Sequence, residues 1–278
     1  RAPLSRSMRR GEPRVPGQSR LPGALARARY WARYRFNCYQ PYLRLIEFKH
    51  RRVSDRIIRD DTELVIEGFG RSASSYAVVA FELAQVRPVR SAHHTHAAAQ
   101  VVKAARLGLP TIVIVKRPDE VALSHMVRHP TVGPATILRA WMRFHRVVAS
   151  VADRVLVISL DELNTDYGGA IRRLNERHRT SFVPPPATGD FGRRVHDEMV
   201  HRHREGGRPD LHSAMPTPER QRAKEALRHR LNAPELAALR RAANHLYADL
   251  TGAAMSPVET RLPTPPGARG DAARPGHA

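Results

Sequence analysis

The run Thr111-Ile-Val-Ile-Val115 constrains the fold more than any other segment, because all five residues are β-branched. Such side chains lose rotamer freedom in a helix and pack well on a pleated surface. Five in a row describe a strand covered on both faces, as in a parallel sheet. Similar runs lie at residues 63–67 and 154–159, and a weaker strand pattern at 88–93. Helical patterns fill the intervals, at 75–85, 97–107, 120–127, 134–152 and 168–178. Strands that alternate with helices imply right-handed βαβ units. The expectation is an α/β fold of three layers, α/β/α, around a central mostly parallel sheet. Two further amphipathic patterns, at 219–231 and 234–250, add C-terminal helices beyond a Gly206-Gly207 loop.

The 278 residues carry a net charge of +21 and are 41% hydrophobic, enough for one sizeable core. The charge is uneven: residues 1–60 hold 16 Lys and Arg against 4 acidic residues. Anionic partners fit this balance, and so does a general drift of composition toward Ala and Arg. Residues 1–23 read as a disordered basic tail and 24–59 as an amphipathic helical lead-in packed on the domain. Residues 60–250 form the α/β domain, and the Pro/Gly/Ala-rich residues 251–278 read as a second disordered tail. The single Cys38 excludes an intrachain disulfide and fits a reducing compartment. No apolar run approaches the roughly 18–20 residues that span a bilayer, and no secretory pattern is visible. The expected location is therefore cytoplasmic, with any membrane association peripheral through the basic N-terminus.

Three constellations carry chemistry. The first is Gly70-Arg71-Ser72-Ala73-Ser74-Ser75, a loop of small residues between a strand and a helix. Small residues let backbone N–H groups converge on phosphate oxygens, and the helix adds its positive dipole end. The alternative is a turn whose serines only cap the helix. The layout is P-loop NTPase-like, yet Gly-x-x-x-x-Gly-Lys-Ser/Thr is absent, which argues against an ordinary ATP or GTP site. The second is Lys116-Arg117 at the end of a strand, followed by Ser124. Cations and a hydroxyl at a strand's carboxyl end suit a second phosphate, and a charged solvated loop is the alternative. The third is His93-His94-Thr95-His96. In an extended strand His94 and His96 share one side, but no carboxylate or cysteine is near in sequence, so no metal site is expected. Arg220, Arg222 and Lys224 could form a late basic patch over a phosphate, but an exposed helix face is the preferred reading.

Together these segments resemble the sulfotransferases that use 3′-phosphoadenosine-5′-phosphosulfate (PAPS). Arg71, Ser72, Ser74 and Ser75 match the family's 5′-phosphosulfate loop, and Lys116 and Ser124 match its 3′-phosphate motif. Residues 154–163 and 180–182 continue the resemblance, which covers a little under half the chain. Ala73 stands where the family has glycine, and Lys116 where it usually has arginine.

The resemblance implies PAPS as cofactor, no metal, and a hydroxyl or amine acceptor of carbohydrate, lipid or small-molecule type. Gly70, Arg71, Ser72, Ala73, Ser74, Ser75, Lys116, Arg117 and Ser124 would hold the nucleotide. Thr95-His96 matches the family's Thr-His, so His96 would be the general base, with His94 second and Arg71 a catalytic cation. The acceptor would draw on residues 125–150 and 184–215. Alternative readings are a nucleic-acid or anionic-surface binder and a P-loop-like kinase or hydrolase. Sequence-specific nucleic-acid binding is not expected, because the basic residues are not set among base-stacking aromatics.

Overall fold

The computed structural model describes residues 23–51, 56–205 and 217–252. The expected tails and the Gly206-Gly207 loop fall outside them, except that Gly23 opens the first helix and Thr251 closes the last. Strands β1 (Leu64–Gly68), β2 (Ser91–His93), β3 (Thr111–Val115) and β4 (Leu156–Ser159) form one sheet, in the order β2-β1-β3-β4. Every pairing is parallel. β1 and β3 are buried along their whole length, as their unbroken apolar character requires.

Alternate side chains of β3 feed opposite cores. Val113 and Val115 pack with α1 (Gly23–Phe36), α4 (Ala98–Arg106), α5 (Pro118–Arg128), α6 (Pro134–Ala149), α9 (Pro218–Leu231) and α10 (Ala237–Thr251). Ile112 and Ile114 pack with α3 (Ser74–Ala84), α7 (Leu160–His178) and α8 (Gly189–Glu205). The chain is thus a three-layer α/β/α fold around a parallel sheet, with helices α9 and α10 at its C-terminal end.

The lead-in forms α1 and α2 (Gln40–Lys49), which bury Tyr30, Tyr34 and Leu43. Helix α7 starts earlier than its sequence pattern suggests. The Ser159 hydroxyl caps it by accepting from Glu162 N at 3.0 Å. The helix then breaks at Asp166 (φ −147°, ψ 54°), whose carboxylate accepts from Gly169 N at 2.8 Å and restarts it. Among the described residues, no helix is long and apolar enough to cross a membrane.

From β1 the chain crosses to β2 on one side, while β3 pairs on the other. The carboxyl ends of β1 and β3 therefore flank the crevice where connections diverge, the usual ligand position in an open parallel sheet.

Candidate active site

The loop between β1 and α3 is tightly wound. A Cβ on Gly68 would lie 2.3 Å from Ser72 Oγ and 2.7 Å from the Ile114 carbonyl oxygen of β3, so only glycine fits where the loop leaves the sheet. Arg71 (φ 71°) and Ala73 (φ 69°) are both left-handed, at a cost of about 1–2 kcal/mol each for non-glycine residues. Backbone strain of this kind collects at functional loops. Ala73, the residue standing in place of a glycine, thus does occupy a glycine-like conformation. It is also the N-cap of α3, without a side-chain acceptor for the helix amides. The serines do not cap the helix: the buried Ser72 and Ser74 pair with each other at 3.2 Å, and Ser75 Oγ lies 2.9 Å from His94 Nε2.

Ser124, in α5, joins three elements. Its Oγ accepts from Arg71 Nε at 3.1 Å and from Arg220 Nη2 of α9 at 3.2 Å. A serine hydroxyl has two lone pairs and one proton. With both lone pairs taken, the O–H remains to donate to a further acceptor. The surrounding charge is mostly positive: burial, then Arg220 and Arg128, hold Arg71 down at about 9. Burial, then Lys224, holds Lys116 at about 8; Glu120 opposes the shift, and Arg71 and Arg220 add to it. Like charges crowded this way favour a multiply charged anion among them.

Arg220 overturns one expectation. It is only 5% exposed, so it does not lie on a solvated face. Thr217 Oγ1 caps α9 by accepting from Arg220 N at 3.2 Å, and the helix lies along α5 through Lys224–Glu120 and Arg228–Glu120 ion pairs of 3.3 and 3.9 Å. The Thr-Pro-x-Arg start of α9 was the available signal, but only its packing on α5 gives it meaning. Arg117 turns elsewhere, its guanidinium 5.3 Å from the Tyr247 ring centroid of α10.

The histidines do not continue an extended strand. β2 ends at His93, and His94 (φ 62°) and His96 (φ 52°) are left-handed, so the segment coils instead of alternating. A carboxylate missed in the sequence organises the coil. Glu67, fully buried at the end of β1, accepts from Thr95 N at 2.9 Å, Thr95 Oγ1 at 2.6 Å, His96 N at 3.1 Å and Gln100 Nε2 at 3.0 Å. Burial pushes its carboxyl up to about 7 against the opposite pull of these bonds. A lone acid within an apolar strand was the clue, and the pairing of Ile66 with His93 is what brings it to the histidines. Among the described residues no group of His, Cys, Asp or Glu is placed to hold a metal.

His96 Nδ1 donates to the Gly68 carbonyl at 2.8 Å, which fixes the tautomer and leaves the lone pair on Nε2. Burial, then Arg33, pushes this imidazole down to about 4. Both ring nitrogens of His94 are engaged, Nε2 with Ser75 and Nδ1 with His93 Nδ1 at 2.6 Å. His125, also missed, supports the loop from below. Its Nε2 donates to the Gly70 carbonyl at 2.8 Å, and the Tyr30 hydroxyl donates to its Nδ1 at 3.2 Å. Burial keeps this ring well below its usual range, hence neutral.

Among solved structures, the chain is similar to a sulfotransferase. That structure, mouse sulfotransferase SULT7A1 complexed with PAP, shares 12% identity over 68% of this chain and 90% of its own, with a TM-score of 0.36. No protein-family model and no curated protein matches the chain. A likeness this distant carries no weight for chemistry, which rests on the residues.

Proposed function

We propose that the protein transfers a sulfuryl group from PAPS to a hydroxyl or amine. The observation that carries this reading is the convergence of Arg71, Ser124 and Arg220 from three separate elements at the carboxyl ends of β1 and β3. The donor set fits a nucleotide with phosphates at both ends: cations and hydroxyls surround the crevice, and the uncapped amides of α3 face it. Gly70, Ser72, Ala73, Ser74 and Ser75 would form the phosphosulfate end with Arg71. Ser124, Lys116 and Arg220 would hold the 3′-phosphate, with Arg117 behind them at the start of α5.

The bound nucleotide would supply the sulfuryl group, which leaves its phosphate oxygen and bonds to the acceptor oxygen or nitrogen. His96 Nε2 would take the proton the acceptor loses. With its imidazole near 4, His96 is neutral throughout the physiological range, so its Nε2 lone pair is available although weakly basic. Glu67 and the Gly68 carbonyl hold its backbone and ring in place. Arg71 would neutralise charge developing on the departing phosphate. His94, tied to Ser75, positions the loop.

Calorimetric titration at physiological salt tests the reading, with 3′-phosphoadenosine-5′-phosphate, ATP with magnesium, and a random DNA duplex as ligands. The bisphosphate should bind tightest, and Arg71→Ala or Ser124→Ala should weaken it at least tenfold, about 1.4 kcal/mol. His96→Ala should keep that affinity and lose turnover. Absence of bisphosphate binding would sink the proposal.

A further inference from the structure

A concavity lies against the histidine loop, between it and helices α1 and α2. It has a volume of about 590 Å³, within the range of small-molecule sites. His94 and Thr95 form its inner end. Phe36, Tyr42 and Ile46, from α1 and α2, supply an apolar wall. Arg29, Arg33, Lys49 and Arg56 supply cations, and among the described residues that line it none is acidic. Its position against the histidines is fixed by hydrogen bonds: Asn37 Nδ2 donates to the His96 carbonyl at 2.9 Å, and Ala99 N donates to the Asn37 carbonyl at 3.1 Å. Asn37 is itself 2% exposed, so the end of α1 and the histidine loop form one packed unit. His96 follows Thr95 of the lining in the chain, and the Asn37 bond to its carbonyl ties it to the end of α1.

We infer that this cavity receives a small amphiphilic anion: an apolar or aromatic frame that bears a carboxylate, sulfate or phosphate. Resting on the transferase reading, that anion is the acceptor, its hydroxyl or amine directed to the histidine loop at His94 and Thr95 and its charged end to the arginines. The charge of the lining argues against the alternatives. A neutral sugar could hydrogen-bond these side chains but would not offset their charge. A neutral hydrophobe would leave four cations at the wall without recognition. The site also lies on α1 and α2, not on the 125–150 and 184–215 regions that the resemblance suggested.

The test is equilibrium binding, so that it does not depend on turnover. 3-(4-Hydroxyphenyl)propanoate and its primary amide, identical except for the charge, are titrated into the full chain by calorimetry. Each titration is run with and without 3′-phosphoadenosine-5′-phosphate. The carboxylate should bind about tenfold tighter than the amide, as two partly exposed ion pairs would give. Arg29 and Lys49 are exposed, so a charge-reversal pair, Arg29→Glu with Lys49→Glu, spares the core. This double variant should erase the preference and leave bisphosphate affinity unchanged. A parallel arm uses vesicles of phosphatidylserine and phosphatidylcholine. Equal binding of the two probes, a preference that survives the double variant, or binding to vesicles alone would each overturn the inference. A carboxylate preference without any bisphosphate binding would uphold the cavity and remove the transferase. Bisphosphate binding without the preference would do the reverse.

Discussion

Lys116 gives the proposed nucleotide site a pH limit within easy reach. Burial and its cationic neighbours hold its ammonium near 8, so the free protein loses this charge as pH rises through that value. The affinity for 3′-phosphoadenosine-5′-phosphate should therefore fall above about pH 8, measured by calorimetry across the range. Lys116→Arg should move the fall to higher pH, because a guanidinium gives up its proton less readily than an ammonium in the same surroundings. An equal decline in both proteins would assign the titration elsewhere. The residues legible in the sequence were those placed immediately after a strand. Arg71 follows β1, the Thr95-His96 pair follows β2, and Ser124 lies in α5, the helix that follows β3. Glu67, His125 and Arg220 were not legible, since each matters through a partner distant in the chain: Thr95, Gly70 and Ser124 respectively.

At the level of elements, β1 and β3 meet with almost no tolerance at Gly68. Gly68→Ala would press a methyl group against the Ile114 carbonyl of the neighbouring strand, and backbone cannot move aside as a flexible side chain can. Thermal denaturation should show a loss of roughly 2–3 kcal/mol, and bisphosphate binding should disappear with it. A variant with unchanged melting temperature and affinity would mean that the loop has a second arrangement. Strand β3 has the bounds its β-branched run implies, and β1 differs from its expected span by one residue. Buried central strands are legible because their composition alone excludes other structures. The start of α7 was not, because the kink at Asp166 splits one apolar period into two short ones. The lead-in reads as an amphipathic helical segment and forms α1 and α2, but its placement against the histidine loop depends on Asn37, a single polar residue.

For the molecule as a whole, Glu67 links stability to pH in an unusual direction. Its folded carboxyl, near 7, binds its proton more tightly than an unfolded carboxyl near 4.3. Its contribution is therefore complete below about pH 4.3 and drains away as pH rises to about 7. The buried His96 and His125 act oppositely: both are depressed, so their contribution is lost as pH falls. The comparison that isolates Glu67 is the melting temperature of Glu67→Gln against the wild type at each pH. The variant should be less stable overall, by about 2 kcal/mol, since an amide N–H₂ cannot accept from His96 N. Its deficit should shrink as pH rises from about 4.3 to about 7. A constant deficit would show that Glu67 keeps an ordinary carboxyl.

The bond between Ser124 and Arg220 also sets an order of events during synthesis. Each strand pair in the sheet closes through a long crossover, so none zips up as a hairpin would, and parallel pairings of this kind form slowly. A nascent chain that has emerged as far as β4 holds all four strands and Arg71, Lys116 and Ser124. It still lacks the arginine that occupies the second lone pair of Ser124. The ribosome must deliver some sixty further residues before that arginine appears, several seconds of elongation at usual rates of about 5–20 residues per second. The sheet thus has time to settle before the cluster of Arg71, Ser124 and Arg220 is complete, which must wait until α9 has emerged.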